Sequence, residues 1–190
     1  MKPRTQLISI SFVLSIVVAG LYAFIQWDDW FSDKNIPLSA ANQPDLIALT
    51  VQQSSFNDHG ERQYQLKAES MLQYLETNRN LMIKPDITFY QDRVPSWTTT
   101  AKEAVSDNTG EALNLSGNVT IRQQNVPKSA TMETDTLILY PEKSYATTED
   151  KVIIRQQGIY IEAIGLDADL NHNRITLRKN VTSIYEPEES

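Results

Sequence analysis

Two hydrophobic patterns divide the chain. From Leu7 to Ile25 (LISISFVLSIVVAGLYAFI), 19 consecutive residues carry no charge. As a helix such a run reaches roughly 28 Å, the thickness of a bilayer's hydrocarbon core. From Leu46 onward, apolar residues instead alternate with polar ones, the period of a half-buried strand. Tyr64-Gln-Leu66-Lys-Ala68 is the cleanest case. Leu81–Ile83, Ile87–Tyr90, Trp97–Ala101, Leu113–Leu115, Val119–Ile121, Thr136–Tyr140, Lys151–Ile154, Ile159–Ile161, Ile175–Leu177 and Val181–Tyr185 continue the series. Turn-forming pieces separate them: Asn57–Gly60, Asp107–Gly110, Pro141–Lys143, Gln156–Gly158 and Asn171–Asn173. Ala68–Glu76 alone would pass for a helix, and the surrounding strands are expected to override that preference.

The flanks of the apolar run orient it. Lys2 and Arg4 precede it, and Asp28, Asp29 and Asp33 follow. The positive-inside rule therefore predicts a cytoplasmic start (1–6), a transmembrane helix (7–25), an outward linker (26–45), a β domain (46–185) and an acidic tail (186–190). Trp27 and Trp30, with Tyr22 and Phe31, suit the outer interfacial belt. The run is longer than the core of a cleaved signal peptide, about 7–15 residues, and Leu21-Tyr22-Ala23 is a poor cleavage site, so the helix is read as a retained anchor.

A repeat underlies the strands. Ala68, Ala101 and Thr134 stand 33 residues apart, with Ala163 29 further on. A second landmark follows each by 17 residues: Pro85-Asp-Ile87, Asn118-Val119-Thr, Lys151-Val152-Ile and Asn180-Val181-Thr. Four such units stacked edge to edge form a β array whose inward faces share one core. Its first and last strands expose unpaired backbone groups and suit the addition of another protein's strand. The candidate edge residues are Leu46, Ala48 and Phe56 at one end and Ile175, Leu177, Val181, Ile184 and Tyr185 at the other.

Composition narrows the function further. The net charge of −7 is spread along the chain, which argues against a nucleic-acid partner. Cysteine is absent, so thiol nucleophiles, thiolate metal sites and cysteine lipidation are excluded. His59 and His172 sit in turns without partners at useful spacing, and neither is read as catalytic or as a ligand. Asp167 and Asp169 share a strand face but supply too few oxygens for a calcium site. No phosphate loop or nucleophile elbow occurs, so the chain is read as non-enzymatic, with no cofactor or metal.

The sequence resembles the LptC family, the bitopic subunits of the lipopolysaccharide export machine. The resemblance is carried by Tyr64–Ala68, by Pro95-Ser-Trp97-Thr-Thr-Thr-Ala101-Lys and by Leu113-Asn-Leu115-Ser-Gly117-Asn-Val119, together with the layout of one apolar span and repeated strands. It implies an all-β fold: an antiparallel, twisted, boat-shaped β-jellyroll (OstA-like), open along one side with an apolar groove, preceded by one N-terminal transmembrane α-helix. It implies a single-pass inner-membrane protein with a periplasmic domain. That domain would receive lipopolysaccharide from the inner-membrane ABC transporter, whose permease subunits are LptF and LptG and whose ATPase is LptB. It would pass the lipid to the soluble periplasmic bridge protein LptA. The permease jellyrolls would meet the edge near Leu46–Phe56 and the bridge protein the edge near Ile175–Tyr185. Gln156-Gln-Gly158-Ile-Tyr is shorter than the loop the family leads one to expect.

Acyl chains cost about 0.8 kcal/mol per exposed CH₂ in water, so a carrier needs a dry trough. Val51, Leu66, Met82, Leu113, Leu115, Val119, Ile121, Leu139, Ile154, Ile175 and Leu177 are the candidate lining residues. Each is also a plain core candidate, and a bulge near Gly117 or Ile153 would swap faces. Loss of lipid binding with folding intact in Leu115→Arg or Ile154→Arg would favour the groove. Lys84, Arg93 and Lys128 are read as surface charges before lipid-phosphate contacts. The alternative is a structural envelope adaptor that links proteins by its edges and carries no lipid.

Overall fold

A computed structural model describes residues 43–185. The predicted cytoplasmic start, transmembrane helix, most of the linker and the acidic tail lie outside the described residues. Within them the regular structure is antiparallel strand, apart from a single 3-10 turn at Pro141–Lys143. The strands are β1 (Leu46–Phe56), β2 (Arg62–Tyr74), β3 (Arg79–Ile83), β4 (Asp86–Gln91), β5 (Val94–Thr100), β6 (Glu103–Ser106), β7 (Leu113–Gln123), β8 (Thr131–Tyr140), β9 (Tyr145–Gln156), β10 (Ile159–Asp169) and β11 (Arg174–Tyr185). Ala68–Tyr74 is strand, as expected: its residues pair with both β1 and β3.

Consecutive strands are neighbours throughout the second half, from β7 to β11. In the first half, β2 pairs with β3 along one part of its length and β4 along the other, and β7 pairs with β6 and β5 in the same way. Thus β3 and β4 are two pieces of one line across the sheet, and so are β5 and β6. The breaks between the pieces are stitched together. Lys84 N–H donates to the Lys102 carbonyl (2.8 Å), Ala101 N–H to Pro85 (3.3 Å) and Lys102 N–H to Gly117 (2.9 Å).

These breaks belong to a crease that crosses the whole sheet. Register shifts lie between Ser116 and Val119 on β7, between Thr134 and Ile138 on β8, and between Ile164 and Leu166 on β10. Left-handed backbone marks the same line at Thr50 (φ 54°), Lys84 (49°), Gly117 (79°), Asn118 (53°), Gly165 (78°) and Asn180 (51°). Such conformations bend a strand and let the sheet fold on itself. Glycine is scarce here, and asparagine, the non-glycine residue most tolerant of positive φ, fills the need at Asn118 and Asn180.

The crease explains the repeat. Each unit is a hairpin that crosses the line twice, once near Ala68, Ala101, Thr134 or Ala163 and again 17 residues later. The short β6 escapes a reading of the sequence because Glu103-Ala-Val-Ser106 is too brief to show alternation. The β9–β10 junction is a two-residue turn, Gln157-Gly158, with φ 72° at the glycine; this is why no longer loop is needed there.

Each half-sheet lays its inward side chains in rows. On one half, Ala48, Met71, Met82, Ala104, Leu115 and Leu137 are successive cross-strand partners, and Thr148, Leu166 and Leu177 carry the row to β11. On the other, Leu66, Ile87, Thr99, Ile121, Met132, Ile154 and Ile161 run across β2 to β10. Side chains from both halves pack into one core, with Trp97, Phe89, Ile87 and Leu139 among those fully enclosed.

Candidate functional site

The candidate lining residues converge. Leu66, Met82, Leu113, Leu115, Val119, Ile121, Leu139 and Ile154 are buried in the single core, and Val51, Ile175 and Leu177 pack against it, partly buried. The bulge at Gly117 does not swap faces on β7, because the extra residue keeps Leu113, Leu115, Val119 and Ile121 all inward. The switch falls on β8 and β10 instead, where Met132 gives way to Leu137 and Ala163 to Leu166 as the inward residues. Ile153 faces outward between Val152 and Ile154.

Two things were not legible beforehand. The aromatic residues Phe89 and Trp97 and the pair Met132 and Leu166 sit deeper than several predicted lining residues; Trp97 carries its own signal in the alternation of Trp97–Ala101. Second, the interior is closed, where the family resemblance implies an open side: the half-sheets pack on each other around one core and meet at the far rim. Leu115 is 1% exposed and Ile154 7%. Arginine at either place would bury an unpaired guanidinium, so those substitutions report on folding and do not isolate lipid binding. The closed interior also encloses a polar group, the Thr99 hydroxyl, which has no hydrogen-bond partner among the described residues. An unsatisfied buried hydroxyl costs roughly 1–3 kcal/mol.

One of the interior rows, from Ala48 to Leu177, runs out to two open edges. Among the described residues β1 pairs only with β2, and β11 only with β10. At the first edge Leu46 (49% exposed) and Phe56 (56%) are open to solvent, while Ala48 is half-buried. At the second, Val181 (53%), Ile184 (50%) and Tyr185 (71%) are exposed, and Ile175 and Leu177 turn inward. Both edge strands carry a left-handed residue midway, Thr50 and Asn180, which bends them at the crease.

Asp167, Asp169, His172, Lys84 and Arg93, singled out in the sequence, are all engaged. Asp167 accepts from Arg178 Nε (2.8 Å) and Nη2 (2.7 Å), from Thr147 (3.0 Å) and from the Tyr145 hydroxyl. The Arg178 guanidinium foremost holds the Asp167 carboxyl well below the usual carboxylate range, with Tyr145 and Thr147 adding to it. Arg178 also meets Glu149, and its stem lies over Gly165, 3.0 Å from where a Cβ would stand. Asp169 is bound by His172 Nδ1 (2.9 Å) and Arg174 (3.6 Å). Lys84 pairs with Glu69 (2.7 Å) and Arg93 with Glu61 (3.1 Å) on the surface. Among the described residues no group of three His, Asp or Glu side chains could hold a metal ion.

A creased antiparallel sheet enclosing one apolar interior, with two unpaired edges, defines a protein of the OstA-like β-jellyroll class. The crystal structure of LptH, the LptA-homologous periplasmic component of the lipopolysaccharide transport device of Pseudomonas aeruginosa, has this fold. It matches with a TM-score of 0.50 at 13% identity, over 65% of this chain and 95% of that one. No curated protein matches the sequence. A family model described as lipopolysaccharide-assembly, LptC-related, matches residues 12–186. The chain belongs to the LptC family and is a component of the lipopolysaccharide transport system.

Proposed function

We propose that the chain carries lipopolysaccharide between an inner-membrane ABC transporter and a soluble periplasmic bridge protein, holding the acyl chains between its half-sheets. Residues 7–25 anchor it once in the inner membrane, with the β domain in the periplasm. The β1 edge pairs with the permease jellyrolls of LptF and LptG, and the β11 edge with LptA. The ATPase LptB supplies the energy, and this subunit acts by binding and handover without chemistry of its own.

One observation carries this reading: the row from Ala48 to Leu177, apolar except at Thr148, crosses the sheet and reaches the two unpaired edges, so a lipid held in one jellyroll would meet the interior of a neighbour added edge to edge. The enclosed core supports a second reading, an adaptor whose interior never opens. The two separate on one measurement. With a photo-crosslinking amino acid at inward Ile161 of the full chain in nanodiscs, lipopolysaccharide is expected to form an adduct that lipid A competes away. The same label at outward Ile138 is expected to give none. A folded chain with no adduct at Ile161 would leave the adaptor.

A further inference from the structure

An amphiphile whose chains must stay dry and whose sugars must stay wet cannot thread a closed trough end to end. The headgroup would have to cross the apolar interior. The two half-sheets therefore have to part along a line, and the line opposite the crease is where they can. The hydrogen bonds that close it are few and specific.

At one place the 3-10 turn between β8 and β9 reaches across to β1 and β2. Glu142 Oε1 accepts from the Tyr64 hydroxyl (3.0 Å) and from Ser55 Oγ (3.2 Å), and the Glu142 carbonyl accepts from Gln63 Nε2 (2.8 Å). The turn is itself fixed, with Ser144 N–H donating to Pro141 (3.0 Å) and Leu170 N–H to Ser144 (2.9 Å). At a second place Trp97 Nε1 of β5 donates to Asn173 Oδ1 in the β10–β11 turn (2.8 Å). Both contacts join the far rim of one half-sheet to the far rim of the other. Burial, with the Glu142 carboxylate beside it, pushes the Tyr64 hydroxyl up to about 12, so it remains a donor at any physiological pH.

We propose that this rim is a gate. The Glu142 and Asn173 contacts clasp the half-sheets shut, and breaking them admits acyl chains sideways while the headgroup rides outside. The inference rests on the carrier reading above. A handful of bonds, rather than a continuous ladder, closes this side, whereas the crease is stitched by backbone hydrogen bonds and cannot open without losing the sheet. The enclosed Thr99 hydroxyl has no hydrogen-bond partner among the described residues, and parting the halves gives water or a polar lipid group access to it.

The absence of native cysteine makes the test clean. In the full chain in nanodiscs, Ser55→Cys and Glu142→Cys are bridged by a short bis-thiosulfonate linker that reductant cleaves. The Ile161 photo-label then reads lipopolysaccharide uptake. The gate predicts that bridging lowers adduct yield at least tenfold and that cleavage restores it. Equal yields from bridged and cleaved protein would overturn the gate and leave the carrier reading standing. No adduct in the chain bearing only the Ile161 label would overturn both. As a second measure, Glu142→Ala should speed exchange of bound lipid severalfold; an unchanged rate speaks against the clasp.

Discussion

β7 and β11 contain nearly the same sentence. Leu113-Asn-Leu-Ser-Gly-Asn-Val-Thr lies at the centre of the sheet and Ile175-Thr-Leu-Arg-Lys-Asn-Val-Thr at its edge. Both carry a left-handed asparagine, φ 53° at Asn118 and 51° at Asn180, although on β7 the preceding Gly117 (φ 79°) is left-handed too. Their surroundings do not. Val119 is fully enclosed, while Val181 is 53% exposed. The first strand is held by burial between neighbours on both sides. The second is held by one backbone ladder and by the Arg178–Asp167–Glu149 cluster on its outer face. An alternating strand thus specifies which side chains point inward, and its place in the sheet decides how much each is worth.

The largest effect follows from the strongest contrast. Leu115→Ala opens a cavity in a core with little room to relax and should cost about 2–5 kcal/mol. Leu177→Ala, at the equivalent place on β11, should cost ~1 kcal/mol because its side chain is already partly solvated. Urea denaturation of both variants checks this. Similar losses would mean that the edge is as firmly packed as the centre, and the comparison would fail.

How much of this was readable in advance follows from the same pair of strands. Alternation places Leu113, Leu115, Val119, Ile121 and Leu177 on the inward face, and turn residues such as Asn57–Gly60 mark the hairpin ends. The repeat of 33 and 17 residues records the two passes of each hairpin over the crease, although nothing in the spacing says that a crease is its cause. What stayed hidden depends on contacts distant in sequence. Trp97 and Asn173 are 76 residues apart, and Tyr64 and Glu142 are 78. Neither Glu142 nor Asn173 differs, as a residue in a polar turn, from the turn residues that bind nothing across the rim. Asp167 likewise looks like half of a cation site until Arg178 arrives from the next strand.

That cluster gives the intermediate effect. If Asp167 helps to fasten β11, Asp167→Asn should lower the thermal midpoint by a few degrees at neutral pH. The sign of its pH dependence follows from the shift. The folded-state carboxyl titrates below its unfolded value of about 3.9, so its contribution is complete above that value and is lost as pH falls through the folded one. The gap between the two proteins should therefore hold from neutral pH down to about pH 5 and narrow in stronger acid. A constant gap at all pH values would show that the carboxylate's charge is not what fastens the edge.

The smallest effect on stability tests the edge itself. Val181→Ser removes an apolar side chain that is already half in water, so the change should fall within about 0.5 kcal/mol of zero. The same exposure is a liability in isolation, because a strand with an open ladder and apolar side chains invites pairing with any strand it meets. On the carrier reading that liability is the docking surface, and Val181→Ser should weaken association with the bridge protein severalfold at unchanged stability. Titrating the partner onto the folded variant, alongside a denaturation curve, separates the two quantities. A stability loss above ~1 kcal/mol would mean that Val181 is covered in solution, by self-association or otherwise, and that β11 shares more of the protection of β7 than its exposure indicates.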